Sequence, residues 1–170
     1  MDADKRREQI AALLRKSSEP VVARTLAKHF DVSRQVIVGD IALLRASGLD
    51  IFSTPKGYVM REARQKDPTV QLVCIHSPEE TKEELYTVVD NGGEVLDVLV
   101  EHPVYGVMRG ELNISSRLEV DEFIKKIEIH DTSLLSALTE GIHTHTIAAK
   151  SQTLLDKIEQ ELKMKGFLYQ

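Results

Sequence analysis

The chain has 170 residues, 42% hydrophobic, 5% aromatic and 29% charged, with 9 Gly and 5 Pro. That composition excludes collagenous and disordered classes and supplies enough apolar residues for packed domains. The longest apolar stretches, such as residues 95–100, are broken by charges well short of the ~20 residues of a membrane span, the start MDADKRREQI has no apolar signal core, and the single Cys74 permits no intrachain disulfide. A cytoplasmic protein with no membrane association is expected. Charge is split along the chain: residues 1–66 hold 13 Lys+Arg against 8 Asp+Glu, and residues 67–170 hold 9 against 19. A basic first third suits contact with a polyanion, and an acidic remainder does not.

Residues 4–16 place Ile10, Leu13 and Leu14 on one helical stripe and leave Arg6, Arg7, Arg15 and Lys16 for solvent. A second helix is expected over residues 21–30, burying Val22, Leu26 and Phe30. Asp31 and Val32 then turn the chain, and Ser33 is placed to cap a third helix that runs to Ala46 and buries Ile37, Ile41 and Leu44. This order is a helix-turn-helix. The alternating stretch 49–60, interrupted by Pro55, Lys56 and Gly57, predicts a hairpin wing.

The run VSRQVIVGDIALLRASG followed by DIFSTPKGYVM resembles winged-helix repressors, and the resemblance covers residues 5–60. It implies that the first turn of the third helix enters the major groove of a double-stranded DNA operator. Ser33, Arg34 and Gln35 would then face phosphates and base edges, with Lys56 reaching the backbone from the wing tip. Arg34 can fork onto a guanine and Gln35 onto an adenine. The outward positions Val38 and Gly39 are smaller or less polar than many such proteins carry there. A winged helix that serves protein contacts instead is the alternative.

The stretch 61–69, which has charge but no apolar stripe, reads as a linker between a winged helix over residues 1–62 and a second domain over 70–170. Beyond it the pattern predicts strand 70–76, helix 79–91, strands 94–101 and 107–115, helix 119–129, strand 142–149, helix 153–165 and a short strand near Phe167. Ser77-Pro78-Glu79-Glu80 is a capping box with Pro at the first helical position. The predicted class is α+β, with helices over one face of a mainly antiparallel sheet.

Four histidines stand out in this domain. His143 and His145, two apart on a strand, point to the same side. His76 ends the first strand. Glu84, on the helix after it, sits with Thr81 and Val88 at the edge of the apolar stripe, where a carboxylate is costly unless paired or ligated. His76, Glu84, His143 and His145 would offer three nitrogens and one oxygen to a divalent transition metal, Zn, Ni or Fe, with positions left open. Such a pair of histidines on a strand is also compatible with exposed or backbone-bonded imidazoles, and Cys74, on the same strand face as His76, reads as a fifth ligand or a small core residue. His29 and His130 have no partner at useful spacing and read as surface or capping residues.

Ile75-His76 with Glu83-Glu84-Leu85, the loop HPVYG at 102–106, LNISSR at 112–117 and GIHTHTI at 141–147 resemble the three-histidine (3H) domain. With the winged helix, the whole chain is similar to niacin-responsive transcriptional repressors. The resemblance implies a homodimeric repressor that binds nicotinic acid as co-repressor, controls genes of NAD synthesis or niacin uptake, and holds a metal at His76, Glu84, His143 and His145. Nicotinate presents a carboxylate and a pyridine nitrogen, and either suits an open metal position. His102, Tyr105, Arg109 and Arg117 are candidates for its other end, an Arg gripping the carboxylate bidentately. Two alternatives remain: a repressor that answers to the metal itself, and a metal-dependent hydrolase with an autoregulatory DNA-binding domain, for which only Glu80 or Glu83 is left as general base. An enzyme is not expected.

Overall fold

The apolar spacing of the first third produces the predicted helices in the computed structural model, which describes residues 2–61, 67–130 and 133–170. The chain divides near residue 65 into two compact units. In the first, α1 (Ala3–Lys16), α2 (Ala23–Phe30) and α3 (Arg34–Ala46) precede a two-stranded sheet of β1 (Ile51–Thr54) and β2 (Gly57–Met60). Ile10, Leu14, Leu26, Ile37 and Ile41 are fully buried between the helices, each contributing about 1.5–3 kcal/mol over an exposed position. Asp31 adopts a left-handed conformation (φ 52°) that ends α2, and the Val32 N–H donates back to the Ala27 carbonyl at 3.0 Å. Ser33 then caps α3, its Oγ accepting from the Val36 N–H at 3.2 Å.

A buried carboxylate ties α1 to α3. Asp40, on the inner side of α3, is 3% exposed and receives Arg6 Nε at 2.6 Å and Arg7 Nη1 at 3.4 Å. The wing is held at its other end by Val21, whose N–H and C=O exchange hydrogen bonds of 2.9 and 2.8 Å with Tyr58. This approach requires Gly57, at φ 133°, because a Cβ there would lie 2.6 Å from the Val21 carbonyl carbon and oxygen.

The second unit carries β3 (Thr69–Ile75), α4 (Thr81–Asp90), β4 (Glu94–His102), β5 (Gly106–Ile114), α5 (Arg117–Ile129), β6 (Ile142–Ala148) and α6 (Gln152–Met164). Its four strands pair antiparallel in the order β3-β6-β4-β5. α4 packs against α5, α6 and β4, and α6 against β3, around a core that includes Leu85, Val88, Val95, Ile114, Ile147 and Ile158. The strand expected near Phe167 is reduced to a single bridge, Cys74 to Leu168. A 3-10 turn at Leu135–Thr139, not foreseen in the sequence, precedes β6. Linker residues 62–66 lie outside the described residues. Among those described, no helix is long and apolar enough to cross a membrane.

Candidate metal centre and ligand cavity

The pleat of β6 turns His143 and His145 to one side of the sheet, and Thr144 and Thr146 to the other. His76 follows β3 directly, and the Ser77–Glu80 capping box starts the chain into α4 so that Glu84, one turn in, comes down over the imidazoles. Glu84 is 1% exposed. Its Oε1 lies 2.7 Å from His145 Nε2, and its Oε2 lies 3.0 Å from His143 Nε2 and 2.5 Å from His76 Nε2. The structure thus brings together all four residues singled out in the sequence as metal-ligating.

The far side of each ring is equally fixed. His76 Nδ1 lies 2.8 Å from the Ser77 carbonyl, His143 Nδ1 2.8 Å from that of Gly141, and His145 Nδ1 2.8 Å from that of Asp97. A carbonyl only accepts, so each Nδ1 carries a proton and each ring turns its Nε2 to the centre, where in the neutral form it offers a lone pair. Three lone pairs and a carboxylate that face one another need a proton or a cation between them. His76 Nε2, buried 2.5 Å from Glu84 Oε2, is not aligned for a hydrogen bond to it. Both features suit a bound cation, and the backbone acceptors match the outer shell that orients metal-bound histidines. Cys74 Sγ, a Glu84 oxygen and a His143 nitrogen also lie within 4.8 Å of one another, a candidate Cys/Glu/His metal cluster.

Without a cation, burial opposes charge on Glu84, but His145, His143 and His76 together hold its carboxyl well below the usual range. For His145 and His76, burial opposes the proton; Glu84 outweighs it and raises both above the ordinary histidine value.

Ser77, Gly141 and Asp97 carry the outer shell, and the roles of Gly141 and Asp97 were not legible in the sequence. Gly141 stands at φ 95°, where a Cβ would meet the His76 carbonyl oxygen at 2.6 Å. Asp97 lies at a β-bulge in β4, with its carboxylate accepting from the Thr146 N–H at 3.1 Å and from Arg109 Nε at 2.9 Å. The only signal for it was an acidic residue between the apolar neighbours Val95, Leu96, Val98 and Leu99.

A cavity of about 230 Å³ opens beside the cluster. Thr81, Glu84 and the three histidines line its polar side; Val98, Leu112, Phe123, Ile127 and Leu135 line its apolar side, with Glu111 and Ser136 between. The Thr81 hydroxyl is buried with no hydrogen-bond partner. No Lys or Arg is among the described lining residues.

The four residues expected at a ligand are not brought to this cavity. Arg109 is engaged by Asp97, and Arg117 makes a two-pronged pair with Asp90 at 2.7 and 2.5 Å while stacking on Tyr86. His102 closes the β4–β5 hairpin, accepting at Nδ1 from the N–H groups of Val104 and Tyr105 at 3.1 Å, and Tyr105 is 76% exposed at the tip. Glu80 is held in its capping box and Glu83 pairs with Lys165, so neither general-base candidate lines the cavity. His130 ends α5, and His29 packs edge-on against Phe30 at the surface.

In the first unit Arg34 and Gln35 are exposed on the first turn of α3, and Ser33 is exposed with its side chain engaged as the cap. Val38 is half-buried. Lys56 sits in the two-residue turn between Thr54 and Gly57.

A winged helix-turn-helix followed by an α+β domain with this three-histidine, one-carboxylate cluster defines a two-part regulator of the DNA-binding class. Residues 6–59 match an HTH domain and residues 69–170 match the 3H domain. The chain is 48% identical over 164 residues to the probable transcription repressor NiaR of Thermotoga maritima, covering 96% of this chain and 93% of that protein. It is 42% identical over 166 residues to the transcription repressor NadR of Bacillus subtilis, covering 96% and 92%. The chain belongs to this family of transcription repressors, and so to regulators rather than enzymes.

Proposed function

We propose that this protein is a homodimeric repressor that takes nicotinic acid as co-repressor, with a divalent transition metal held by His76, Glu84, His143 and His145, and thereby controls genes of NAD synthesis or niacin uptake. The observation that carries the ligand reading is the character of the cavity. At about 230 Å³ it is below the ~300–1,000 Å³ of sites for larger ligands and suits a single ring. Its walls stack an aromatic ring between Leu112, Phe123 and Leu135 and leave the Thr81 hydroxyl free for a polar edge.

A carboxylate entering this cavity meets Glu84 and Glu111 and no guanidinium or ammonium among the described lining residues. Desolvating an anion there is unfavourable unless a cation faces it. The metal supplies that positive charge, so nicotinic acid binding depends on metal. Nicotinamide, which has no anion to neutralise, binds more weakly.

DNA binding is assigned to α3 and the wing. Arg34 and Gln35 reach base edges, Val38 lies beside them, Ser33 presents its end of the helix to phosphate, and Lys56 meets the backbone. Ligand binding favours one spacing of two winged helices in the dimer, matched to half-sites about one turn of DNA apart. The test is isothermal titration of nicotinic acid into metal-loaded and metal-stripped protein. Binding confined to the loaded form supports the reading; equal binding to both contradicts it.

A further inference from the structure

We propose that Cys74 is itself a metal ligand, its Sγ joining His143 and Glu84 as a thiolate donor. This rests on the reading that the cluster holds a metal. Cys74 and His143 stand directly opposite each other in the β3–β6 pairing, so both side chains leave the same face of the sheet. Sγ, a Glu84 oxygen and a His143 nitrogen are all within 4.8 Å of one another. Donors bound at ~2.0–2.3 Å to one ion stand ~3.3–3.8 Å apart at a tetrahedral angle, so a closure of up to about 1 Å seats an ion among the three.

Two further observations bear on the same point. Sγ makes a long hydrogen bond of 3.7 Å to the Leu72 carbonyl on its own strand and already interacts with Glu84 at the centre. The nearby His76 Nε2 is buried 2.5 Å from Glu84 Oε2 but is not aligned to hydrogen-bond it, a second potential ligand atom at the same place. A residue needed only to fill the core could be apolar. Here a fully buried thiol faces a carboxylate. A metal deprotonates a thiol that coordinates it. The Sγ–H bond breaks, its proton passes to solvent, and the electron pair left on sulfur forms the bond to the metal, with no change of oxidation state. A thiolate in the set favours zinc, cobalt or nickel over magnesium or manganese.

Cys74 is the only cysteine of the chain, so any thiolate signal belongs to it. Metal-stripped full-length protein is titrated with Co²⁺, with bound metal counted by equilibrium dialysis and the near-ultraviolet spectrum recorded. The expected result is a sulfur-to-cobalt charge-transfer band that saturates at one ion per chain and is absent in Cys74→Ser, whose cobalt affinity falls about tenfold or more. X-ray absorption of the zinc form, which needs no variant, then shows a sulfur scatterer at ~2.3 Å. One bound cobalt without the band, or zinc with only nitrogen and oxygen neighbours, overturns the assignment of Cys74 and leaves the metal centre standing. Failure to bind cobalt or zinc overturns both.

Discussion

Glu84 and His145 meet at 2.7 Å, carboxylate oxygen to Nε2, where neither side chain is more than 5% exposed. Because the Nδ1 of that histidine is held by the Asp97 carbonyl, the contact joins two acceptors unless a proton or a metal lies between them. The other two imidazoles repeat the arrangement, so Glu84 is the group on which the cluster depends. Replacing it with Ala is expected to remove bound metal, from one ion per chain to background by elemental analysis. In the metal-free protein the change removes the group that holds protons on His145 and His76, so the rings are left neutral with buried Nε2 atoms unpaired and the fold loses about 1–3 kcal/mol. Retention of a full equivalent of metal in Glu84→Ala contradicts this role.

The same geometry sets a pH dependence. Glu84 titrates below its ordinary value of 4.5, so its stabilising contribution is present above that pH and is lost as pH falls through the lowered value. His76 and His145 titrate above their ordinary 6.5, so theirs is complete below pH 6.5 and is lost as pH rises through the raised values. Metal-free protein is therefore expected to gain least from this cluster on the alkaline side of neutrality, where metal-loaded protein gains most because protons no longer compete. Urea melts of both forms between pH 5 and 8.5 should diverge as pH rises; parallel curves exclude the cluster as the metal site.

Thr81 and Arg117 separate two views of the ligand. Thr81→Val keeps the shape of the side chain and removes the free hydroxyl in the cavity. It is expected to weaken nicotinic acid several-fold with metal content unchanged. Arg117→Ala breaks a surface pair with Asp90 and is expected to leave nicotinic acid affinity where it was. The reverse pattern in isothermal titration would move the ligand from the cavity to the outer end of α5.

Much of this site is legible in the chain because it rests on local pattern. Alternation puts His143 and His145 on one face, and helical spacing puts Glu84 beside Thr81 and Val88, so spacing alone marks a carboxylate that faces inward. What is not legible depends on contacts between distant segments. Arg109 and Arg117 look like carboxylate-binding residues, but their partners Asp97 and Asp90 are brought to them by the β4–β5 pairing and the α4–α5 packing. The acceptor role of Asp97 arises from a bulge, which shifts register by one residue and leaves no compositional trace. The 3-10 turn at Leu135–Thr139 carries too short a stripe to announce itself, yet Leu135 and Ser136 close one side of the cavity.

On the DNA face, phosphate and base contacts should part under salt. Lys56→Ala is expected to lower the slope of log affinity against log salt by ~0.9, the signature of one lost phosphate contact, with little change in sequence preference. Arg34→Ala is expected to reduce discrimination at one position by about 1–3 kcal/mol. Gel-shift titrations on operator and single-base variants at several salt concentrations distinguish these outcomes. A Lys56 variant with an unchanged slope takes the wing off the DNA.

The most direct test of the account is fluorescence anisotropy of a labelled operator fragment from the protein's own promoter region, titrated with metal-loaded protein at fixed salt, with nicotinic acid, with nicotinamide and with neither. The account predicts that nicotinic acid tightens operator binding by ~5- to 150-fold, a coupling of about 1–3 kcal/mol, that nicotinamide does much less, and that stripping the metal abolishes the difference. Equal operator affinity with and without nicotinic acid contradicts it.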